Sequence, residues 1–178
     1  MRFDELNEDN FLLFAIKNYE NLIKDIKNYP DIIDASPYIN IQGLISSEYE
    51  SKGINIIGID EAKEENMSII PQYMVAGELE GLNQSNSIVI GSLLAANISA
   101  YIGDEINITT SDIKTSIIGS YPTSVNLKVV GIFELKTELD QFMTLVSHDT
   151  AQKLKNISSD ETLSIRLKTN NLFNADYI

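Results

Sequence analysis

The sequence predicts an α+β domain, a mixed sheet with helices packed on it, and three observations carry that prediction. Some segments place apolar residues at every second position and others at helical spacing. Two segments carry apolar residues on both faces, the pattern of strands buried between layers. Strands and helices follow one another without strict βαβ alternation.

In chain order, Ile16, Tyr19, Leu22, Ile23, Ile26 and Tyr29 lie at helical spacing with Lys and Glu between them, and Pro30 stops the helix. Ile39, Ile41, Gly43 and Ile45 with polar residues interleaved predict a half-buried strand. A turn over Glu50–Gly53 leads to a central strand, Ile54–Ile59, with isoleucine on both faces. The stretch Asp60–Leu82 is acidic, contains Pro71, Gly77 and Gly81, and shows no sustained period, so it reads as a long connection with short pieces of order.

Ile88–Ile90 predicts a short strand running into Gly91. Leu93, Leu94, Ala95, Ile98 and Ile102 then follow helical spacing, and Gly103-Asp104 is a turn signal. Strands are predicted over Glu105–Thr109, Leu127–Phe133 and Phe142–Val146, with an exposed loop at Ser111–Ser124. Ser147 can cap a helix carrying Ala151, Leu154 and Ile157. Leu163, Ile165 and Leu167 alternate with Ser164, Arg166 and Lys168, and predict a last strand with one apolar face.

The chain has 178 residues, long enough to bury a sizeable core. It carries 26 Asp and Glu against 13 Lys and Arg, a net charge of −13, which argues against a nucleic-acid partner because counterion release needs clustered cations. With no Cys there is no thiol nucleophile, disulfide or thiolate-held metal, and with one His there is no multi-histidine centre. No stretch reaches the roughly 20 apolar residues that span a bilayer. Phe11–Ile16 is short and follows acidic residues, so it reads as neither signal peptide nor anchor.

Chemistry was sought at three places. His148 lies beside the predicted cap with no G-x-S-x-G elbow in the chain, and reads as a surface or first-turn histidine. Asp60, Glu61, Glu64 and Glu65 lack EF-hand spacing and read as a solvated acidic connection. Gly77, Gly81 and Gly91 form no phosphate-binding motif, so no cofactor is expected. Ser111–Ser124 differs in kind: a loop this long in a compact domain usually does something. Its apolar members Ile113, Ile117, Ile118 and Tyr121 find little core if it projects, whereas a hairpin tip can also fold back on its own sheet.

Pieces in a fixed order carry a resemblance. They are Ile56-Ile57-Gly58-Ile59-Asp60, Gly77-Glu78-Leu79, Ile90-Gly91 with Leu94-Ala95, and Ile102-Gly103-Asp104-Glu105-Ile106. They continue with Gly119 to Pro122, Val129-Val130-Gly131-Ile132-Phe133, Leu139-Asp140, Ala151-Gln152-Lys153-Leu154 and Leu172-Phe173-Asn174-Ala175-Asp176. From about Gly53 onward the chain resembles the extracytoplasmic domain of lipoprotein-releasing permeases of the LolC/LolE type, within the MacB-like or FtsX-like group.

The resemblance implies a non-enzymatic domain of an inner-membrane ABC transporter permease on its periplasmic side, with a MacB-like core. Implied partners are lipoproteins, a LolA-like periplasmic carrier, a partner permease subunit and a separate cytoplasmic ATPase. It also implies that Ser111–Ser124 is a β-hairpin hook that docks the carrier, through Ile113, Thr115, Ile117, Ile118, Gly119, Tyr121 and Pro122. Ile117 and Thr123 stand where the family usually has Pro and a basic residue, which leaves open the LolC or the LolE kind of hook. An alternative in the same superfamily is a MacB- or FtsX-like domain that docks an adaptor or a cell-wall hydrolase activator.

The expected organisation is one extracytoplasmic domain over 1–178, a soluble fragment of a longer membrane protein. About 14–59 and 127–178 are expected to form one lobe, and about 60–126 the connection, a second lobe and the hook at 111–124.

Overall fold

The computed structural model describes residues 15–48, 50–116 and 119–170; over 112–116 and 119–121 it describes the backbone alone. The strands are β1 (Ile16–Lys17), β2 (Ile32–Ser46), β3 (Ser51–Ile59), β4 (Met74–Gly77) and β5 (Ser87–Gly91). They continue with β6 (Glu105–Ser116), β7 (Gly119–Phe133), β8 (Met143–Ser147), β9 (Glu161–Thr162) and β10 (Ser164–Thr169). The helices are α1 (Tyr19–Ile26), α2 (Glu61–Met67), α3 (Ser92–Asn97) and α4 (His148–Lys155). This is the α+β mixed sheet that the sequence predicts.

The main sheet runs β10-β2-β3-β8-β5-β7-β4, and β6 pairs with both β2 and β7. β6 therefore closes β2, β3, β8, β5 and β7 into a ring, with β10 and β4 as flanking strands. Two pairings, β3 with β8 and β5 with β7, are parallel, and the others in the main sheet are antiparallel.

Alternation decides what each strand buries. Ile54 and Ile56 of β3, Ile88 and Ile90 of β5 and Val146 of β8 enter one core. Ile39, Ile41 and Ile45 of β2, Ile106 and Ile108 of β6, and Leu127 and Val129 of β7 join it. Leu94 and Ile98 with Ala151 and Leu154 fill it from the α3 and α4 sides. The opposite faces of the central strands send Ile57, Ile59, Val89 and Leu145 into a second core with Ile70, Leu79, Leu82 and Phe133. β3, β5 and β8 are thus buried on both sides, as the isoleucines on both faces of Ile54–Ile59 predict. At roughly 1.5–3 kcal/mol for each large aliphatic side chain fully buried, these two cores are the main source of stability.

Several boundaries differ from expectation for identifiable reasons. The first helix covers only Tyr19–Ile26, because Ile16 and Lys17 pair with β9 and Asn18 takes a left-handed conformation at φ 52° between them. β2 begins at Ile32 rather than Ile39. Its first half pairs with β10, and Pro37 is tolerated there because pairing with β3 starts only at Ile39.

The third helix ends at Asn97 and excludes Ile102, where the chain turns at Gly103 with φ +97° and the Asp104 carboxylate accepts the Tyr101 N–H at 2.8 Å. The connection over Asp60–Leu82 is more ordered than its lack of period suggests. It contains α2, a 3-10 turn over Ile70–Tyr73, β4 and a second 3-10 turn over Leu79–Asn83. Ser147 caps α4 as predicted, accepting the Thr150 N–H at 3.3 Å.

Candidate functional site

The segment read as an exposed loop, Ser111–Ser124, is instead a continuation of two strands. β6 pairs with β7 from Glu105–Lys128 through Thr109–Ser124, and again from Ile113–Pro122 to Ser116–Gly119. Between these two blocks β6 advances four residues while β7 advances two, so the ribbon is bulged around Thr110–Asp112. β2 runs beside β6 only as far as Thr110, opposite Gly43. Beyond the bulge the two strands pair with each other and with no other strand among the described residues. The physical cause is register: β6 outruns the end of its β2 partner, and no third strand is available there.

The root of this ribbon is anchored on both faces. Inward, Thr110 is buried and its hydroxyl reaches the Leu154 carbonyl of α4 at 3.4 Å, while Thr123 is buried beside Val125 and Leu127. Outward, a polar ladder crosses the two strands. The Asn107 amide donates to the Asn126 side-chain carbonyl at 2.7 Å, and the Ser124 hydroxyl donates to the Asn107 carbonyl oxygen at 2.9 Å. Thr109 lies 3.2 Å from Ser124. A rigid root with a two-stranded extension is a geometry suited to insertion into a groove on another protein.

The sequence-predicted site residues fall on this extension. Ile113, Thr115, Gly119, Tyr121 and Pro122 lie in its ladder, opposite Pro122, Ser120, Ser116, Lys114 and Ile113 respectively. Ile117 and Ile118, which connect the paired Ser116 and Gly119, are outside the described residues.

His148 is the first residue of α4 but not a surface group: it is 6% exposed. Its Nε2 lies 3.0 Å from the Thr162 hydroxyl, and its ring meets Tyr19 at a centroid distance of 5.1 Å. The Thr162 hydroxyl has the carbonyls of Ser164 and Tyr38 at 3.2 and 3.4 Å as acceptors, so the proton of the His148–Thr162 contact sits on Nε2. Burial lowers the His148 pKa to about 4, overcoming the opposing pull of Asp149 and Asp60. A neutral imidazole committed to Thr162 is a packing residue. The neighbouring cavity of about 260 Å³, lined by Tyr19, Asp60, Glu61, Asp149 and Lys153 among others, holds no nucleophile–base pair.

The acidic connection also departs from expectation at one residue. Glu64 is 1% exposed rather than solvated, and its carboxylate receives both terminal nitrogens of Arg166. The arginine in turn stacks on the Tyr38 ring at 5.3 Å. Nothing in the run of carboxylates distinguishes Glu64; only the fold of α2 against β10 selects it. No group of three or more metal-binding side chains occurs among the described residues.

Three curated relatives show what this chain is similar to. It is 23% identical over 161 residues to the lipoprotein-releasing system transmembrane protein LolE of Haemophilus influenzae, covering 90% of this chain and 39% of that protein. It is 26% identical to LolC of Xylella fastidiosa over 148 residues, covering 82% and 35%, and 26% identical to LolC of Neisseria meningitidis over 153 residues, covering 85% and 37%. The chain therefore spans between 35% and 39% of the length of these relatives.

Among solved structures, the extracellular domain of the ABC-type transporter YknZ superposes with a TM-score of 0.61 at 10% identity, over 92% of this chain and 78% of that one. The periplasmic region of MacB from Actinobacillus actinomycetemcomitans gives 0.60 at 13% identity, over 92% and 70%. No family model matches the chain. The resemblance to the extracytoplasmic domain of LolC/LolE-type permeases is borne out in sequence, and the MacB-like fold in structure.

Proposed function

We propose that this chain is the periplasmic domain of an inner-membrane ABC transporter permease that releases lipoproteins, and that the hairpin beyond Thr110 docks the periplasmic carrier that receives them. In this reading the chain forms one extracytoplasmic domain and does no chemistry of its own. ATP hydrolysis belongs to a cytoplasmic subunit, and a second permease subunit completes the transporter. The observation that carries the reading is the ribbon of residues 113–116 and 119–122, held by its root yet paired with nothing beyond itself. Two further features support it. The segment connecting the strands, Ile117-Ile118, is β-branched and apolar where a hairpin turn would ordinarily carry Asn, Asp or Gly. Its neighbours Ile113, Tyr121 and Pro122 add apolar surface suited to a groove made for acyl chains.

The test is a binding titration of the chain with the LolA-like carrier of the same organism, beside a variant in which residues 112–121 are replaced by Asn-Gly. Loss of binding in a variant that keeps its fold supports docking through the hairpin. Unchanged binding overturns it. Absence of carrier binding with capture of a transport adaptor instead would favour the MacB-like role.

A further inference from the structure

The last strand presents an unfinished face. Leu163, Ile165 and Leu167 alternate as a buried row should, yet Leu167 is 39% exposed and the other two are only partly covered. Among the described residues β10 pairs with β2 alone, from Ser164–Tyr38 to Thr169–Ile32, so its other edge carries no strand. An open edge beside apolar side chains is a template for unwanted pairing, which folded proteins generally cover.

The chain supplies a cover. β1 is antiparallel to β9 with Ile16 opposite Thr162 and Lys17 opposite Glu161, and only Leu163 separates β9 from β10. Continuing that register toward the N-terminus sets Phe14 against Ser164, Leu13 against Ile165, Leu12 against Arg166 and Phe11 against Leu167. The six residues Asp9–Phe14 match the six residues of β10, about 20 Å at strand rise. Directly opposed residues share a face. Phe11 and Leu13 would then join Ile165 and Leu167, above Pro37 and Ala35 of β2. This gives a role to the Phe11–Ile16 apolar run, which is too short to be an anchor.

We propose that residues 9–14 form an additional strand antiparallel to β10, with Phe11 and Leu13 covering Leu167 and Ile165. The edge is then closed by the chain itself and is not a docking site for another protein. The strand that leads into the domain and the strand that leads out of it lie side by side, beside the Arg166–Glu64 pair.

Because the chain has no cysteine, paired cysteines read the register without background. In the full chain, Lys17→Cys with Glu161→Cys is the positive control, since these residues already face each other. Phe11→Cys with Leu167→Cys lies six residues along and so has the same phase of the antiparallel ladder. Leu12→Cys with Leu167→Cys places the thiols on opposite faces. Under mild oxidation with oxidised glutathione, the Phe11–Leu167 pair is expected to close within one chain at least tenfold more than the Leu12–Leu167 pair. Closure of the control with no such excess overturns the proposal. So does closure between Leu167→Cys and Asn174→Cys, which would give the edge to the C-terminal segment, or disulfide-linked dimers, which would give it to a second copy.

Discussion

Glu64 and Arg166, 102 residues apart in sequence, form a two-point ion pair that fastens α2 to β10. Arg166 Nη1 donates to Glu64 Oε1 at 3.2 Å and Nη2 to Oε2. Lys168 of the same strand reaches the Asn66 carbonyl at the end of α2, so one edge strand holds both ends of this short helix. A seven-residue helix has almost no stability of its own, and this clasp explains why it forms where the sequence has no helical period.

Breaking the pair from the exposed side should therefore be costly. Arg166→Met leaves the Glu64 carboxylate buried and unpaired, and is expected to lower unfolding free energy by about 3 kcal/mol in urea titrations. The double variant Glu64→Gln with Arg166→Met should lose less than the sum of the two single changes, because it removes the charge together with its partner.

His148 makes the fold sensitive to mild acid. Its pKa is about 6.5 when unfolded and is lowered to about 4 in the folded protein, so between these values the unfolded chain binds more protons. Stability contributed by the neutral imidazole is fully present above pH 6.5 and is lost as pH falls toward 4, by up to about 3 kcal/mol. His148→Gln, which keeps a donor for Thr162, should flatten this part of the profile. Urea midpoints of the two proteins between pH 7 and 4.5 provide the comparison.

Gly58 is where α4 meets the sheet. A Cβ added there would lie 2.2 Å from the Ala151 Cβ and 3.3 Å from that of Ile39, both in buried, closely packed positions. Gly58→Ala is expected to destabilise the fold by about 1–3 kcal/mol through overpacking. The double variant with Ala151→Gly should recover part of that loss, measured by thermal unfolding.

The hairpin should be dispensable for folding. Its outer ladder pairs only with itself, while the closed ring ends at Thr110 and Thr123. Replacing residues 112–121 with Asn-Gly is expected to change unfolding free energy by no more than about 1 kcal/mol, because neither core is touched. A much larger loss in urea unfolding would show that the extension packs on the domain.

Much of the fold was legible because it follows from local pattern. Both-face isoleucine in Ile54–Ile59 predicted a central strand, and β3 lies between β2 and β8. Ser147 predicted the start of α4 because a hydroxyl there can take an orphan N–H. The misread segments share one cause. α2 and the outer halves of β6 and β7 owe their conformation to partners distant in sequence, so no local period announces them. The candidate site was legible as a segment and through family resemblance, but as a loop rather than a bulged two-stranded ribbon.

By itself, the sequence determined the residue types available for chemistry: no thiol, one imidazole, an excess of carboxylates and an apolar segment at 113–122 with little core to enter. It also determined the periodicities from which an α+β sheet had to be built. Only tertiary structure decided which of the many carboxylates is buried against an arginine, and that the sole histidine is held neutral. It also decided that β6 closes a ring before running past it. These outcomes depend on which surfaces meet across the chain, because the desolvation and strand pairing that decide them exist only once distant residues are in contact.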